Sequence, residues 1–243
     1  MKRIKIQIEN VIITLNKIEG NLYNIQFENF EDINCVIYKE VINKFNEKVV
    51  ENDIEIMSFD VNSYEERNKF LNKSILKISS TKVLFSKELK TKISLNLSKY
   101  NFLSCDKIST TELYSLFKEV SIGDIEVKNN HKKYLDEMIE MAGASFNLSN
   151  WKVVYHLNNK IGLLFPQLYP DENKEGSMFY IGLLPKYRRQ KHGSIIHAHG
   201  LNLLLEQGAN LYIGSTNETN KAMLKIFNLN NCMKKYSQIF YKK

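Results

Sequence analysis

Apolar and polar positions recur with helical or strand spacing along most of the chain. In the C-terminal half the pattern predicts a strand over 179–184, a helix over 194–207 and a second strand over 211–216. Pro185 ends the first strand and Gly208 ends the helix, because proline lacks an N–H donor and glycine adopts the left-handed conformation easily. Two strands joined by one helix are expected to pair in parallel through a right-handed crossover.

The residues before this unit predict two helices and a hairpin. Ser109 and Glu112 form a capping-box pattern at the start of one helix, and apolar positions at helical spacing predict another over 130–146. The apolar-rich runs 151–157 and 161–168 flank an Asn-Asn pair, which predicts an antiparallel hairpin leading into the strand at 179.

A weak internal repeat links the two halves of the chain. The segments 54–87 and 211–243 share a strand ending in serine (Ser58 or Ser215), a helix carrying phenylalanine (Phe70 or Phe227) and a final strand. A repeated period implies a repeated supersecondary unit. Chance similarity in a chain rich in Lys, Asn and Ile is the alternative.

Glycine and proline are unevenly distributed. All three prolines and nine of the ten glycines lie at or beyond residue 123. Because these residues mark turns and breaks, the difference indicates two units. We place them at 1–95 and 105–243, with the boundary between Glu88 and Lys107.

A basic loop separates the 179–184 strand from the following helix. The first N–H groups of a helix have no partner within it, and the helix dipole places partial positive charge there, so a pyrophosphate is favoured at this point. A Walker loop and a dinucleotide fingerprint are both excluded, since neither glycine pattern occurs. A solvated loop is the alternative, which the position between strand and helix disfavours. The basic residues are Lys186, Arg188, Arg189, Lys191 and His192.

At these residues the chain resembles the GNAT family of acyl-CoA-dependent N-acyltransferases. The family's loop pattern falls on Arg188, Lys191 and Gly193. That pattern is Arg or Gln, two variable residues, Gly, one variable residue, then Gly or Ala, so Lys191 replaces the first glycine. A second family pattern matches only at Asn220, and the family's tyrosine is Phe227 here. The resemblance covers about 105–243. It implies an α+β fold, with a mixed, largely antiparallel sheet flanked by helices. If the internal repeat is real, the N-terminal half is a shortened copy of the same fold without a CoA site.

The resemblance also implies an activity, the transfer of an acetyl group from acetyl-CoA to a primary amine of a small molecule or peptide. Glu175 is the candidate base, since the family's glutamate position is Ser177, and Tyr180 or Ser215 are candidates to assist the leaving thiolate. A CoA-binding or interaction module without turnover is the alternative, given the replacements at 177, 191 and 227. The implied CoA-binding residues are Leu183, Leu184, Arg188, Arg189, Gln190, Lys191, His192, Gly193, Ser194, Ile195 and Asn220.

Composition and charge narrow the functional classes that remain open. The 243 residues, 43% of them hydrophobic, suffice for one large or two small domains. The net charge of +7 comes from lysines scattered along the chain, so a nucleic-acid binder, which would show steep salt dependence, ranks last. No apolar run is long enough for a membrane span. Cys35, Cys105 and Cys232 give neither a disulfide framework nor metal-binding spacing, which favours a reducing cytoplasm and no metal. His197 and His199 are expected to be packing or cleft residues.

Overall fold

The computed structural model describes residues 3–30, 33–124, 127, 130–169 and 173–243. The chain forms two units. Unit 1 contains Met1–Leu84, Ser215–Asn220 and Lys234–Lys243, and unit 2 contains Phe85–Gly214 and Lys221–Met233. The described strands and α-helices are, in chain order, β1 (Arg3–Ile8), β2 (Val11–Glu19), β3 (Leu22–Glu28), α1 (Cys35–Asn52), β4 (Glu55–Phe59), α2 (Glu65–Lys73), β5 (Lys77–Glu88), β6 (Tyr100–Ser104), α3 (Thr110–Val120), α4 (His131–Ala142), β7 (Lys152–His156), β8 (Asn159–Leu168), β9 (Glu175–Leu183), α5 (His192–Glu206), β10 (Leu211–Asn217), α6 (Lys221–Leu229) and β11 (Met233–Lys242).

Unit 1 is a mixed sheet covered by helices. Its strands lie in the order β1-β2-β3-β4-β11-β5, with β1, β2 and β3 antiparallel and β3 parallel to β4. The apolar positions of α1 recur at Val41, Phe45 and Val49, and all three are at most 1% exposed. Phe45 packs edge-on against Phe70 of α2, with ring centroids 5.0 Å apart. This cluster forms the core of unit 1.

Unit 2 has helices on both faces of its sheet. Its strands lie in the order β10-β9-β8-β7-β6, antiparallel from β6 to β9 and parallel between β9 and β10. On one face, Phe117 of α3 and Leu135 of α4 pack with Trp151 and Phe165. On the other face, Ile196 of α5 packs against residues of β7 and β8. The α+β class with a largely antiparallel sheet is confirmed.

The predicted elements of the C-terminal half are present. Strand β9, helix α5 and strand β10 follow the predicted order, and β9 and β10 are parallel. Gly208 takes a positive φ of 98° at the end of α5. Leu157 and Asn158 have positive φ values of 48° and 63°, as a tight hairpin turn between β7 and β8 requires.

The predicted capping box is only half formed. The Glu112 N–H donates to Ser109 Oγ at 3.1 Å, which caps α3. The Glu112 carboxylate does not return to the cap, because it accepts from Lys160 Nζ at 2.5 Å.

The predicted repeat is visible as β4-α2-β5 and β10-α6-β11. The final strands, however, divide differently from the predicted continuous halves 1–95 and 105–243. Strand β11 belongs to unit 1, where it pairs antiparallel with β4, and Tyr241 is buried in that core. The last residues of β5, Phe85–Glu88, belong to unit 2. Unit 2 also includes β6, which the prediction left in the linker. Within the described residues, no helix has both the length and the apolar character needed to cross a bilayer.

Candidate functional site

The parallel strands of unit 2 pair over only a short length. Their register consists of Leu211↔Glu175 and Tyr212↔Gly176. Beyond Gly176, β9 continues to Leu183 with β8 as its partner on the other edge only. Among the strands that the structure describes, none pairs with this edge of β9 beyond Gly176. Crevices at the carboxyl ends of parallel strands are where open α/β sheets bind ligands.

The main-chain groups on this edge can be identified from the pairing with β8. Leu184 donates its N–H to the Ile161 carbonyl at 2.9 Å, so this group is not available for a ligand. Because successive residues of a strand point their main-chain groups to opposite sides, Leu183 and Ile181 turn theirs toward the open edge. The Leu183 carbonyl accepts from Arg188 Nε at 2.9 Å, so the Leu183 N–H is the group that remains for a ligand. Of the implied CoA-binding residues, Leu184 thus has its N–H engaged within the sheet, whereas Ile181, which was not predicted, lies on the open edge.

A β-bulge lies in the middle of the same strand. The register with β8 passes from Phe165↔Tyr180 to Pro166↔Met178, so Phe179 is an extra residue. As a result Phe179 and Tyr180 both pack toward the core formed with α3 and α4, whereas regular alternation would separate them. A bulge bends the bulged strand and increases its twist.

Tyr180, the candidate acid, is a core residue. Its side chain is 8% exposed, and its ring packs edge-on against Phe117 with centroids 4.8 Å apart. The hydroxyl donates to the Val120 carbonyl over 3.4 Å. Burial raises the pKa of this phenol well above its ordinary value. The hydroxyl is thus protonated and directed at the main chain, which does not favour the catalytic role.

The basic loop has a backbone suited to glycine. Arg189 and Lys191 take positive φ values of 61° and 66°. Lys191 occupies the position where the family pattern has glycine, and its left-handed conformation gives the physical reason for that preference. Lys191 precedes α5 without a side-chain hydrogen bond to the helix N–H groups. The helix start is therefore open to an anion.

The loop side chains have two different roles. Arg188 donates to the carbonyls of Leu183 and Val120, each at 2.9 Å, so it ties the loop to the ends of β9 and α3. Gln190 donates to the Lys186 carbonyl at 2.8 Å. Arg188 therefore holds the loop in place, whereas Arg189 and Lys191 are exposed to solvent and their contact with a phosphate stays a prediction.

The first turn of α5 is fixed by packing. His192 is buried, and its Nδ1 lies 2.7 Å from the Tyr100 hydroxyl, with the His156 ring centroid 4.7 Å away. Burial, followed by the neighbouring His156, lowers the pKa of His192. A Cβ atom on Gly193 would lie 2.8 Å from Ile226 Cδ1. Gly193 therefore allows the Ile226 side chain of α6 to approach the helix start, and its contact with a phosphate stays a prediction. Ser194 and Ile195 complete this turn.

The remaining candidates are not brought together. Glu175 is half-buried at the start of β9, where β10 still pairs, about 26 Å along the strand from Leu183. Ser215 is exposed and belongs to unit 1, as does Asn220, whose N–H donates to the Asn217 carbonyl at 2.9 Å. Phe227 is 1% exposed between Phe85 and His197. Unit 2 thus carries the loop and Glu175 at opposite ends of β9.

Unit 1 has a corresponding helix start with opposite chemistry. Helix α1 follows β3 as α5 follows β9, but the Asn34 side chain accepts from the N–H groups of Val36 and Ile37 at 2.9 and 3.0 Å. The residues from 28 to 34 include three acidic residues and no lysine or arginine. Asn34 therefore satisfies two of the N–H groups that an anion would otherwise bind at this helix start, and the loss of the CoA site from the N-terminal copy stays a prediction.

Comparison with known proteins identifies the fold. No family model matches the sequence, and no curated protein matches it. Among solved structures, a GCN5-related N-acetyltransferase from Sphaerobacter thermophilus superposes with a TM-score of 0.64 at 7% identity, over 96% of this chain and 76% of that one. A tandem GNAT protein from the clavulanic acid biosynthesis pathway gives 0.58 at 10% identity, over 96% and 78%. A GNAT-family acetyltransferase from Colwellia psychrerythraea gives 0.58 at 11% identity, over 96% and 80%. The chain has the GNAT fold.

Proposed function

We propose that this chain is an N-acetyltransferase that transfers an acetyl group from acetyl-CoA to a primary amine of a small molecule or peptide. The observation that carries the proposal is the combination, in unit 2, of an unpaired β9 edge with an uncapped, basic helix start next to it. The GNAT fold of the chain supports it. The corresponding helix start in unit 1 is closed by Asn34, so the donor site is assigned to unit 2 alone.

The donor's parts match the groups that unit 2 leaves free. The pyrophosphate is expected at the first N–H groups of α5, with Arg189 and Lys191 beside it. The amide groups of pantetheine are expected along the open edge of β9, at the main-chain groups of Ile181 and Leu183. Arg188 would not contact the donor but would hold the loop.

The transfer requires a neutral amine and a stabilised oxyanion. The amine nitrogen attacks the thioester carbonyl carbon, the C–S bond breaks, and the amine proton leaves to a base or to water. A free N–H on the β9 edge would stabilise the negative charge that develops on the carbonyl oxygen. A thiol has an ordinary pKa of about 8.5, so the thiolate leaves without strong acid assistance, which is compatible with Phe227 in place of tyrosine. Glu175 as base, and Tyr180 or Ser215 as acid, stay predictions.

Binding is tested first. A ligand at about 100 times its dissociation constant adds about 2.7 kcal/mol of stability, or about 5–10 °C in Tm for a chain of this size. We expect acetyl-CoA to produce such a shift in the native chain and a smaller one in the Arg189→Met, Lys191→Met double variant. Lys92→Met, which removes an exposed cation paired with Glu206 at 2.7 Å, is the charge control. The same shift in all three proteins would place the ligand away from the loop.

Turnover is tested separately. Release of free CoA thiol, measured over a panel of polyamines, amino sugars and peptide amines, is expected to depend on the amine added. A binding module without turnover is the second candidate, favoured by the buried Phe227 and by Ser177 at the family's glutamate position. A Tm shift with no thiol release for any amine would favour that module.

A further inference from the structure

A crevice of about 560 Å³ lies in unit 1 at the carboxyl ends of the parallel strands β3 and β4. The two strands pair from Leu22↔Glu55 to Asn24↔Met57, and the pairing stops there although both strands continue. This volume is within the usual range of small-molecule pockets, and the carboxyl end of diverging parallel strands is where such sheets bind ligands. Its lining includes Asn10, Phe27, Phe30, Asn62, Glu66 and Arg67.

The crevice is not suited to a phosphate. Asn34 satisfies the N–H groups at the start of α1, the helix that follows β3. The linking sequence carries three acidic residues and no basic one. A polyanion such as CoA is therefore disfavoured here.

Three polar side chains on the crevice wall are not hydrogen-bonded to other described side chains. Asn10, Asn62 and Glu66 are exposed and make no side-chain hydrogen bond or ion pair with any residue that the structure describes, although the positive charge of Lys69 acts on Glu66. Two amide side chains away from the crevice are engaged, since Asn21 donates to Asp53 and Asn68 donates to the Phe59 carbonyl.

Glu66 and Arg67 place opposite charges on the same wall. The Arg67 guanidinium stacks over the Tyr64 ring, 4.1 Å from its centroid, and has no carboxylate partner among the described residues. This stacking orients the guanidinium while leaving its N–H groups free to bind a carboxylate in a bidentate manner. Phe27 and Phe30 stack with centroids 4.2 Å apart and supply an apolar surface.

We propose that this crevice binds a free amino acid with an apolar side chain. The ammonium would bind Glu66, the carboxylate would bind Arg67, and the side chain would lie against Phe27 and Phe30. Asn10 and Asn62 would complete the hydrogen bonds of the two charged ends. The inference concerns unit 1 alone and does not rest on acetyl transfer.

The test uses three probes that differ by one charged group. Calorimetry on the full chain compares L-phenylalanine with 2-phenylethylamine, which lacks the carboxylate, and 3-phenylpropionate, which lacks the ammonium. Loss of one charge-assisted hydrogen-bonding group is expected to weaken binding tenfold or more. L-phenylalanine should therefore bind at least ten times more tightly than either analogue. Absence of binding at millimolar concentration, or equal affinity for all three probes, would overturn the proposal.

Two variants assign the ends of the ligand. Glu66→Gln should weaken the binding of L-phenylalanine and 2-phenylethylamine but not that of 3-phenylpropionate. Arg67→Met should weaken the binding of L-phenylalanine and 3-phenylpropionate but not that of 2-phenylethylamine. The matched controls are Glu51→Gln and Lys48→Met, since these residues form an ion pair at 2.6 Å on α1 and do not line the crevice. Circular dichroism verifies that all variants fold. If folded Glu66 and Arg67 variants bind L-phenylalanine as the native chain does, the ligand does not occupy this crevice and the proposal fails.

Discussion

Buried His197 couples the stability of unit 2 to pH. It is fully buried in α5, where Asn230 Nδ2 donates to its Nδ1 at 2.9 Å and its Nε2 lies 3.1 Å from the Tyr212 hydroxyl. Asn230 Nδ2 also donates to the Ser194 carbonyl at 3.0 Å, which fixes the orientation of the amide. The imidazole is therefore neutral, with its proton on Nε2. Burial, followed by the positive charge of Lys87, lowers the pKa of His197 to about 3.

The sign of the effect follows from proton binding. In the unfolded chain this histidine has a pKa near 6.5, so on acidification the unfolded state takes up a proton that the folded state does not. The stability that neutral His197 contributes is present above pH 6.5 and is lost as the pH falls toward 3. At pH 4.5, two pH units below the unfolded pKa, the loss is about 2.7 kcal/mol at 1.36 kcal/mol per unit.

The assay compares urea unfolding at about pH 7.5 and pH 4.5. Trp151, the single tryptophan, is fully buried in the same unit, so its fluorescence reports the unfolding of unit 2. His197→Gln keeps one acceptor and one donor but cannot titrate. We expect the stability loss between the two pH values to be smaller in His197→Gln than in the native chain by about 2 to 3 kcal/mol.

Tyr212→Phe is the matched control. It removes the hydroxyl that His197 contacts, but the imidazole stays buried next to the Phe227 ring. This variant should be less stable at both pH values, yet it should lose as much stability on acidification as the native chain. An unchanged pH dependence in His197→Gln would refute the argument that a buried neutral His197 opposes protonation.

Three further predictions test the loop, the thiols and the strand exchange. Lys191→Gly should stabilise the protein by up to about 1 kcal/mol, because glycine accepts the φ of 66° at this position without steric cost. A loss of stability would contradict the left-handed conformation of Lys191. A thiol reagent should label only Cys35 in the native chain and all three cysteines in urea, since Cys105 and Cys232 are buried. Burial also raises the pKa of Cys105 to about 12 and that of Cys232 to about 11. Rapid labelling of more than one thiol in the native chain would contradict their burial. Tyr241→Ala should lower the free energy of unfolding of unit 1 by about 3 to 5 kcal/mol, because Tyr241 is buried in its core. Limited proteolysis should then cleave within residues 1–84 and not in the core around Trp151, and early cleavage in unit 2 would contradict the unit assignment.

The local elements of unit 2 were predictable because their signals are local. Pro185 ends β9, Gly208 ends α5, Ser109 caps α3, and Asn158 lies in the hairpin turn, which is formed by Leu157 and Asn158 rather than by the predicted Asn-Asn pair. Each of these residues acts on its own few neighbours, so sequence patterns suffice.

The strand exchange was not predictable in the same way. Strand β11 pairs with β4, although about 170 residues separate them in the sequence, and the pairing depends on long-range packing around Tyr241. The roles of the loop side chains were also hidden. A motif places Arg188 in the loop, but only the positions of Leu183 and Val120 show that its guanidinium binds main-chain carbonyls.

The two helix starts differ in how their N–H groups are satisfied. In unit 1, Asn34 supplies hydrogen bonds to the start of α1, a type of cap that typically stabilises a helix by about 1 kcal/mol. In unit 2, Lys191 supplies no such bond and takes a conformation that costs a non-glycine residue about 1 to 2 kcal/mol. An empty α5 start is thus less stable than its counterpart by roughly the sum of the two effects, and a bound anion would satisfy the same N–H groups that Asn34 satisfies in unit 1. Stabilisation by acetyl-CoA should therefore appear in the unfolding of unit 2, reported by Trp151, and not in the protease resistance of residues 1–84.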